Sequence, residues 1–246
     1  MSGIALWPLL CLSFIRQNII NGGQLMNFDR RKFIKNIGIG TIAGFISETI
    51  MASRSCKRFV TPRQPEGPFY PEEIPSDMNA DLTMVNGHEK PAMGTPIMVK
   101  GIIKDQYCRP IENAVIEIWQ ACHTGRYNHS SDTSDSKMDP HFQYYALMRS
   151  NSKGEYSYKT IIPGAYQANR NWIRPPHIHY KVSSRGYEEL ITQLYFKGEN
   201  LNKDDQILRE LSKDDRNKIV VEFKKDEKSG LLTGSFNIGL KKNVRL

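Results

Sequence analysis

The sequence predicts an all-β fold, an antiparallel β-sandwich with long loops, on three observations. Short runs rich in β-branched and aromatic residues alternate with period two, turn signals such as Asn151-Ser152-Lys153-Gly154 bound them, and no amphipathic helix falls between most of them. Such strands at such spacing argue for a sandwich or barrel.

The 246 residues suffice for one substantial core, or for a core domain behind a removable leader. Residues 1–55 read as an upstream extension plus an export signal, and residues 56–246 as one catalytic domain. The signal is Asp29-Arg30-Arg31-Lys32-Phe33-Ile34-Lys35, a twin-arginine n-region, followed by the weakly apolar, Gly-containing stretch Asn36–Ile46. Met26 is a better start than Met1, cleavage fits near Ala52, and the expected location is periplasmic or secreted. A lipid anchor at Cys56 is disfavoured because Ser53-Arg54-Ser55 lacks the aliphatic residue expected before it.

After the leader, Thr61-Pro62-Arg63-Gln64-Pro65-Glu66-Gly67-Pro68-Phe69-Tyr70-Pro71 excludes regular helix and predicts an extended arm. Strands are expected at Ile97–Ile103, Ala114–Trp119, Glu155–Thr160 and Leu190–Phe196. Residues 203–217, with Asp204-Asp205 ahead of Ile207-Leu208, are the best helix candidate. Phe223 through Leu240 returns to strand-like alternation around Gly230 and Gly234.

Composition excludes several functions. The formal charge is +8, but residues 1–55 hold six basic and two acidic residues, leaving 28 basic against 24 acidic in the remainder. A net +4 there is too mild for a nucleic-acid partner. No apolar run is long enough to span a membrane stably, and nothing excludes an oligomer. Cys11, Cys56, Cys108 and Cys122 show no Cys-x-x-Cys spacing, so thiolates do not point to zinc. In an oxidising compartment Cys108 and Cys122 are candidates for a pair, or for two buried thiols.

The segment that carries chemistry is Trp172-Ile173-Arg174-Pro175-Pro176-His177-Ile178-His179-Tyr180. On a strand, residues two apart share a face, so His177 and His179 present both imidazoles to one side. That is a chelating pair for Zn, Cu, Fe or Ni, and alone it names no metal.

Seven ordered blocks extend the reading: Ile118-Trp119-Gln120-Ala121, Gly125-Arg126-Tyr127, Asp139-Pro140-His141-Phe142, Gly154-Glu155-Tyr156, Thr160–Tyr166, Arg174–His179 and Leu190–Phe196. Over roughly residues 61–200 this order resembles the intradiol ring-cleavage dioxygenases, and within them the protocatechuate 3,4-dioxygenase branch. The resemblance implies non-haem Fe(III) bound by Tyr127, Tyr166, His177 and His179. Tyr127 would be the tyrosinate that stays bound and Tyr166 the one that substrate displaces. Arg174 and Gln193 match the family's active-site arginine and glutamine. The implied reaction inserts both atoms of O2 into a catecholic small molecule and opens the ring between the two hydroxylated carbons to a muconate-type diacid, a step of aromatic compound catabolism.

Departures from the pattern accompany the match. Gln167–Ile173 is short and lacks a Pro-Trp after the tyrosine, and Gln143-Tyr144-Tyr145 stands where glycines are usual. There is no room for the long helical segment of catechol 1,2-dioxygenases. Two other readings compete: an inactive periplasmic β-sandwich binding module, and a Zn or Cu enzyme using the histidine pair with no role for either tyrosine.

Overall fold

The computed structural model describes residues 59–243. The twin-arginine segment, Ala52 and Cys56 lie outside the described residues. Among those described, the strands are β1 (Pro96–Asp105), β2 (Val115–Trp119), β3 (Tyr145–Arg149), β4 (Glu155–Ile161), β5 (Tyr166–Asn169), β6 (Trp172–Arg174), β7 (His177–Ser183), β8 (Leu190–Phe196), β9 (Val220–Val221), β10 (Phe223–Lys225), β11 (Leu232–Ser235) and β12 (Ile238–Leu240). No helix among these residues is long and apolar enough to cross a membrane.

Alternation decides which face of each strand is buried. Ile97, Val99 and Ile103 of β1, and Tyr156 and Tyr158 of β4, point to one side and are buried. Ile116 and Ile118 of β2, Ile178, Tyr180 and Val182 of β7, and Leu190 and Leu194 of β8 meet them from a second sheet. The first sheet is built on β1, which pairs with β4 along one edge and with β11 and then β12 along the other, β10 lying beyond β11. The second runs β3-β2-β7-β8-β9, and β5 and β6 form a separate two-stranded ribbon.

The sandwich is as expected, but its sheets are mixed. β1 runs parallel to β11 and β12, and β8 runs parallel to β9. A parallel neighbour needs a long crossover, and residues 197–219 supply one between β8 and β9. That crossover holds the helical segment, which is three pieces and not the single helix expected over 203–217: a 3-10 turn Asn200–Lys203 and helices Gln206–Arg209 and Lys213–Ile219. Asp205 caps the first helix by accepting from the Leu208 N–H, and Ser212 starts the next by accepting from that of Asp215. Two caps in so short a stretch force two starts.

Where β11 passes to β12, the chain bends so that Phe236 enters the core and its carbonyl accepts from Tyr156. A Cβ on Gly101 would sit 1.9 Å from that carbonyl oxygen, so β1 needs glycine there. Cys122 is free and buried while Cys108 is disulfide-bonded, so the pairing of Cys108 with Cys122 does not form.

Candidate functional site

The site lies on the face of the second sheet turned away from the core. Because Ile178, Tyr180 and Val182 point inward on β7, His177 and His179 point outward. Register then fixes their neighbours: His177 stands beside Tyr195 of β8, and His179 lies between Gln193 of β8 and Trp119 of β2. His179 stacks on the Trp119 indole at 4.8 Å between ring centroids. An outer face is normally wet, yet the two histidines are only 2% and 1% exposed. The arm predicted at Thr61–Pro71 covers them. Gly67 brings its backbone against His179, where a Cβ would lie 3.4 Å from Cε1, and its φ of +78° favours glycine. Phe69 stacks on Tyr127 at 4.4 Å.

The tyrosines come from two loops held together by glycine. Gly125 and Gly164 pack backbone against backbone: a Cβ on Gly125 would meet the Ala165 carbonyl oxygen at 2.3 Å, and one on Gly164 the Gly125 nitrogen at 2.4 Å. Both N–H groups donate to the Cys122 carbonyl, at 3.0 and 2.9 Å respectively. This close approach sets the Tyr127 and Tyr166 rings 5.5 Å apart, perpendicular to one another. The Tyr127 N–H donates to Asp132 at 2.7 Å, fixing that loop from below.

Four side chains thus converge. Tyr127 Oη lies 3.4 Å from His177 Nε2, and His177 Nε2 lies 3.1 Å from His179 Nε2. The Tyr166 ring is 5.8 Å from that of His177. His177 Nδ1–H must donate to the Pro175 carbonyl at 2.6 Å, which leaves its Nε2 lone pair facing the cluster. His179 Nδ1 is buried without a partner. If His179 carries its proton on Nε2, Nδ1 is a bare buried acceptor; if on Nδ1, two Nε2 lone pairs face each other. A cation taking both Nε2 lone pairs removes that repulsion, and the Tyr127 phenol oxygen, 3.4 Å from His177 Nε2, is a further donor. Among the described residues no group of three or more His, Cys, Asp or Glu is arranged to hold a metal. Two imidazoles with two phenols nearby are a donor set whose chemistry fits a hard, highly charged ion, provided the phenols ionise.

Electrostatics agree with that need. Burial holds the His177 and His179 imidazoles well below their ordinary range, helped by the nearby Arg174 charge. Burial raises the phenol of Tyr127, and that of Tyr166 against the opposing charge and hydrogen bond of Arg174. All four are neutral in the bare protein, and a cation among them inverts the preference.

Arg174, 3% exposed, stands opposite Tyr166 across the β5–β6 ribbon. Its Nε–H donates to Asp205 at 2.9 Å, and Nη2 donates to Gln193 Oε1 at 2.6 Å and to Tyr195 Oη at 2.9 Å. Gln193 is oriented in turn, its Nε2 donating to the Pro65 carbonyl at 3.0 Å and its N–H to Gln64 at 2.9 Å.

Every residue expected from the sequence is present in this one cluster: Tyr127, Tyr166, Arg174, His177, His179 and Gln193. Residues that sequence reasoning missed are Gly67, Phe69, Asp132, Tyr195 and Asp205. Gly67 had a signal in the Pro-Gly-Pro-rich arm, whereas Asp205 had one only as a helix cap.

A family profile described as Dioxygenase matches residues 65–242. The protocatechuate 3,4-dioxygenase beta chain of Burkholderia cepacia is 32% identical over 73% of this chain and 78% of its own length. Catechol 1,2-dioxygenase 2 of Acinetobacter lwoffii is 31% identical over 59% of this chain and 54% of its own, so the chain spans about half of that relative. Among solved structures, the dioxygenase domain of a dioxygenase–carbohydrate-binding fusion from Streptomyces sp. SirexAA-E superposes with a TM-score of 0.57 at 24% identity, over 75% of this chain and 99% of that domain. That likeness shows the fold.

Proposed function

The chain belongs to this dioxygenase family and is an intradiol ring-cleavage enzyme acting on catechol-type compounds, and from that premise we propose that Tyr127, Tyr166, His177 and His179 bind non-haem Fe(III). The observation that carries the proposal is the convergence of two phenols and two imidazoles, three of them buried and Tyr166 partly so, beside one buried arginine. Phenolate is a hard anionic donor, and two of them offset most of a ferric charge. The chemistry such an ion supplies is Lewis acidity toward the two substrate oxygens, which makes the ring reactive to O2.

The chain's own residues do the rest. Tyr166 Oη, on the β5–β6 ribbon side of the cluster, would be a phenolate while it held the metal, and as a phenolate it would take one hydroxyl proton of the catechol as substrate binds. Arg174, always charged, stabilises the negative charge that develops on the ring carbon. Gln193 holds the arginine's Nη2 edge, and the arm bearing Gly67 and Phe69 excludes water. Both oxygen atoms of O2 enter the product, and the bond between the two oxygenated carbons is the one broken.

The protocatechuate-like branch is favoured by the length of the match to the beta-chain relative. We place the enzyme outside the cytoplasm, a reading motivated by the Arg30-Arg31 signal. Fractionation of cells expressing the full chain tests it, and full-length protein confined to the cytoplasm would overturn it.

Oxygen uptake by ferric protein with catechol, protocatechuate and hydroxyquinol, products identified by mass, tests the reaction. A muconate-type diacid carrying two atoms of labelled oxygen is expected. An aldehyde product of cleavage outside the diol, or a colourless iron-replete protein, would defeat the proposal.

A further inference from the structure

We infer that Asp205, with Tyr195, is a positioning residue that aims the Arg174 guanidinium; the inference rests on the role proposed for Arg174. A guanidinium is a rigid plane of five N–H donors, so fixing Nε and Nη2 fixes where Nη1 points. Asp205 Oδ2 takes Nε–H at 2.9 Å, and Tyr195 Oη and Gln193 Oε1 take Nη2 at 2.9 and 2.6 Å. Tyr195 also donates to Gln193 Oε1 at 2.9 Å, locking two of the three acceptors to each other. The Nη1 edge is the one not committed to these partners, and Tyr166 lies across the ribbon from Arg174.

Asp205 is itself immobilised. It is fully buried, and its other oxygen, Oδ1, accepts from the Leu208 N–H at 2.9 Å at the start of the Gln206–Arg209 helix. The carboxylate cannot turn without losing both the helix cap and the arginine. A buried arginine also needs an opposite charge nearby, and Asp205 is its ion-pair partner, the two side chains being 4% and 0% exposed. The crossover between β8 and β9, remote in sequence from the ribbon, is thereby tied to the reactive site.

The test separates aiming from mere capping. Asparagine caps a helix as well as aspartate does, so Asp205→Asn keeps the Leu208 bond and removes the charge facing Arg174. Expected is a kcat lower by about tenfold to a hundredfold with little change in KM. Tyr195→Phe, which keeps the ring, lowers kcat by about twofold to tenfold. In an R174Q background neither substitution lowers kcat further. In metal-free protein, D205N lowers the melting temperature, and adding R174Q recovers part of the loss because the unpaired charge is gone.

Wild-type kcat in both variants, the same loss with and without R174Q, or no melting recovery would each overturn the inference. Should D205N not fold, Tyr195→Phe carries the kinetic arm and the D205N/R174Q pair the melting arm. A wild-type enzyme that forms no diacid from any catechol would instead fail the proposed function, and the metal-free melting cycle would still test the pairing.

Discussion

Tyr127, a proposed ligand, shows how little residue type alone reveals, since a buried tyrosine is ordinarily core. Its ring packs on Phe69 and its hydroxyl stands 3.4 Å from His177 Nε2. Tyr127→Phe therefore keeps the packing and deletes only the donor: the protein should fold with an unchanged circular dichroism spectrum and retain iron about tenfold less well or worse. Normal iron content in that variant would remove Tyr127 from the ligand set. Asp105 makes a contrasting case. Its carboxylate accepts from the Tyr107 and Arg109 N–H groups and from the Arg109 side chain. Burial acts to raise its pKa, but those bonds outweigh it and hold the group below the ordinary carboxylate range. A depressed carboxylate stabilises the fold fully above its unfolded pKa of about 3.9, and that stability is lost as pH falls through the folded value. Asp105→Asn should cost about 1–3 kcal/mol at neutral pH, and the gap to wild type should close in acid melts. A gap that persists unchanged at low pH would show that charge is not the cause. The sequence made the histidine pair legible because period-two geometry is local. It made Tyr127 and Tyr166 legible only through ordered motifs, and Asp205 legible only as a helix-start signal and not as a site residue, because its partner Arg174 is brought to it by the fold.

At the scale of elements, legibility followed apolar content. β1, β2, β4 and β8 carry enough alternating β-branched and aromatic residues to announce themselves, and β8 spans the predicted Leu190–Phe196. The ribbon β5–β6 buries little: Gln167, Ala168 and Asn169 are exposed, so no hydrophobic pattern marks it, and its pairing depends on the neighbouring site. Tyr144 has a similar history. It adopts φ +62°, a conformation costly for a bulky side chain, and its hydroxyl accepts from the Asp139 N–H at 2.8 Å. The helical crossover departs from the single helix expected because a second cap, at Ser212, starts a new helix seven residues after the Asp205 cap. Ser212 Oγ accepts from the Asp215 N–H at 3.1 Å and donates to its carboxylate at 2.9 Å. Ser212→Ala should cost about 0.5–2 kcal/mol in a denaturant titration. Because β9 follows directly on that helix, the variant should loosen amide protection in Lys213–Val221 first. Uniform loss across both sheets would show that the crossover is not a separable unit.

For the whole molecule, the sandwich gives one face of each sheet to the core and leaves the second sheet's outer face for chemistry. That face is closed by an arm and two loops rather than by a third layer, and not every buried polar group of the histidine pair is paired within the bare protein. His179 Nδ1 has no partner, and the two Nε2 atoms face each other at 3.1 Å. An ion bound there compensates groups that folding alone leaves strained, and a ligand that binds only the folded state stabilises it by mass action. Iron free at about 100 times its dissociation constant contributes about 2.7 kcal/mol. For a chain of this size that is a rise in melting temperature of about 5–10 °C. Chelation should lower the melting temperature by that amount with loss of the visible phenolate band, and Fe(III) should restore both. Mg(II), which prefers oxygen ligands and retains its water, should restore neither. If stripped and iron-loaded protein melt together, the two imidazoles and two phenols are a satisfied polar cluster of the fold, and the metal site must be sought elsewhere.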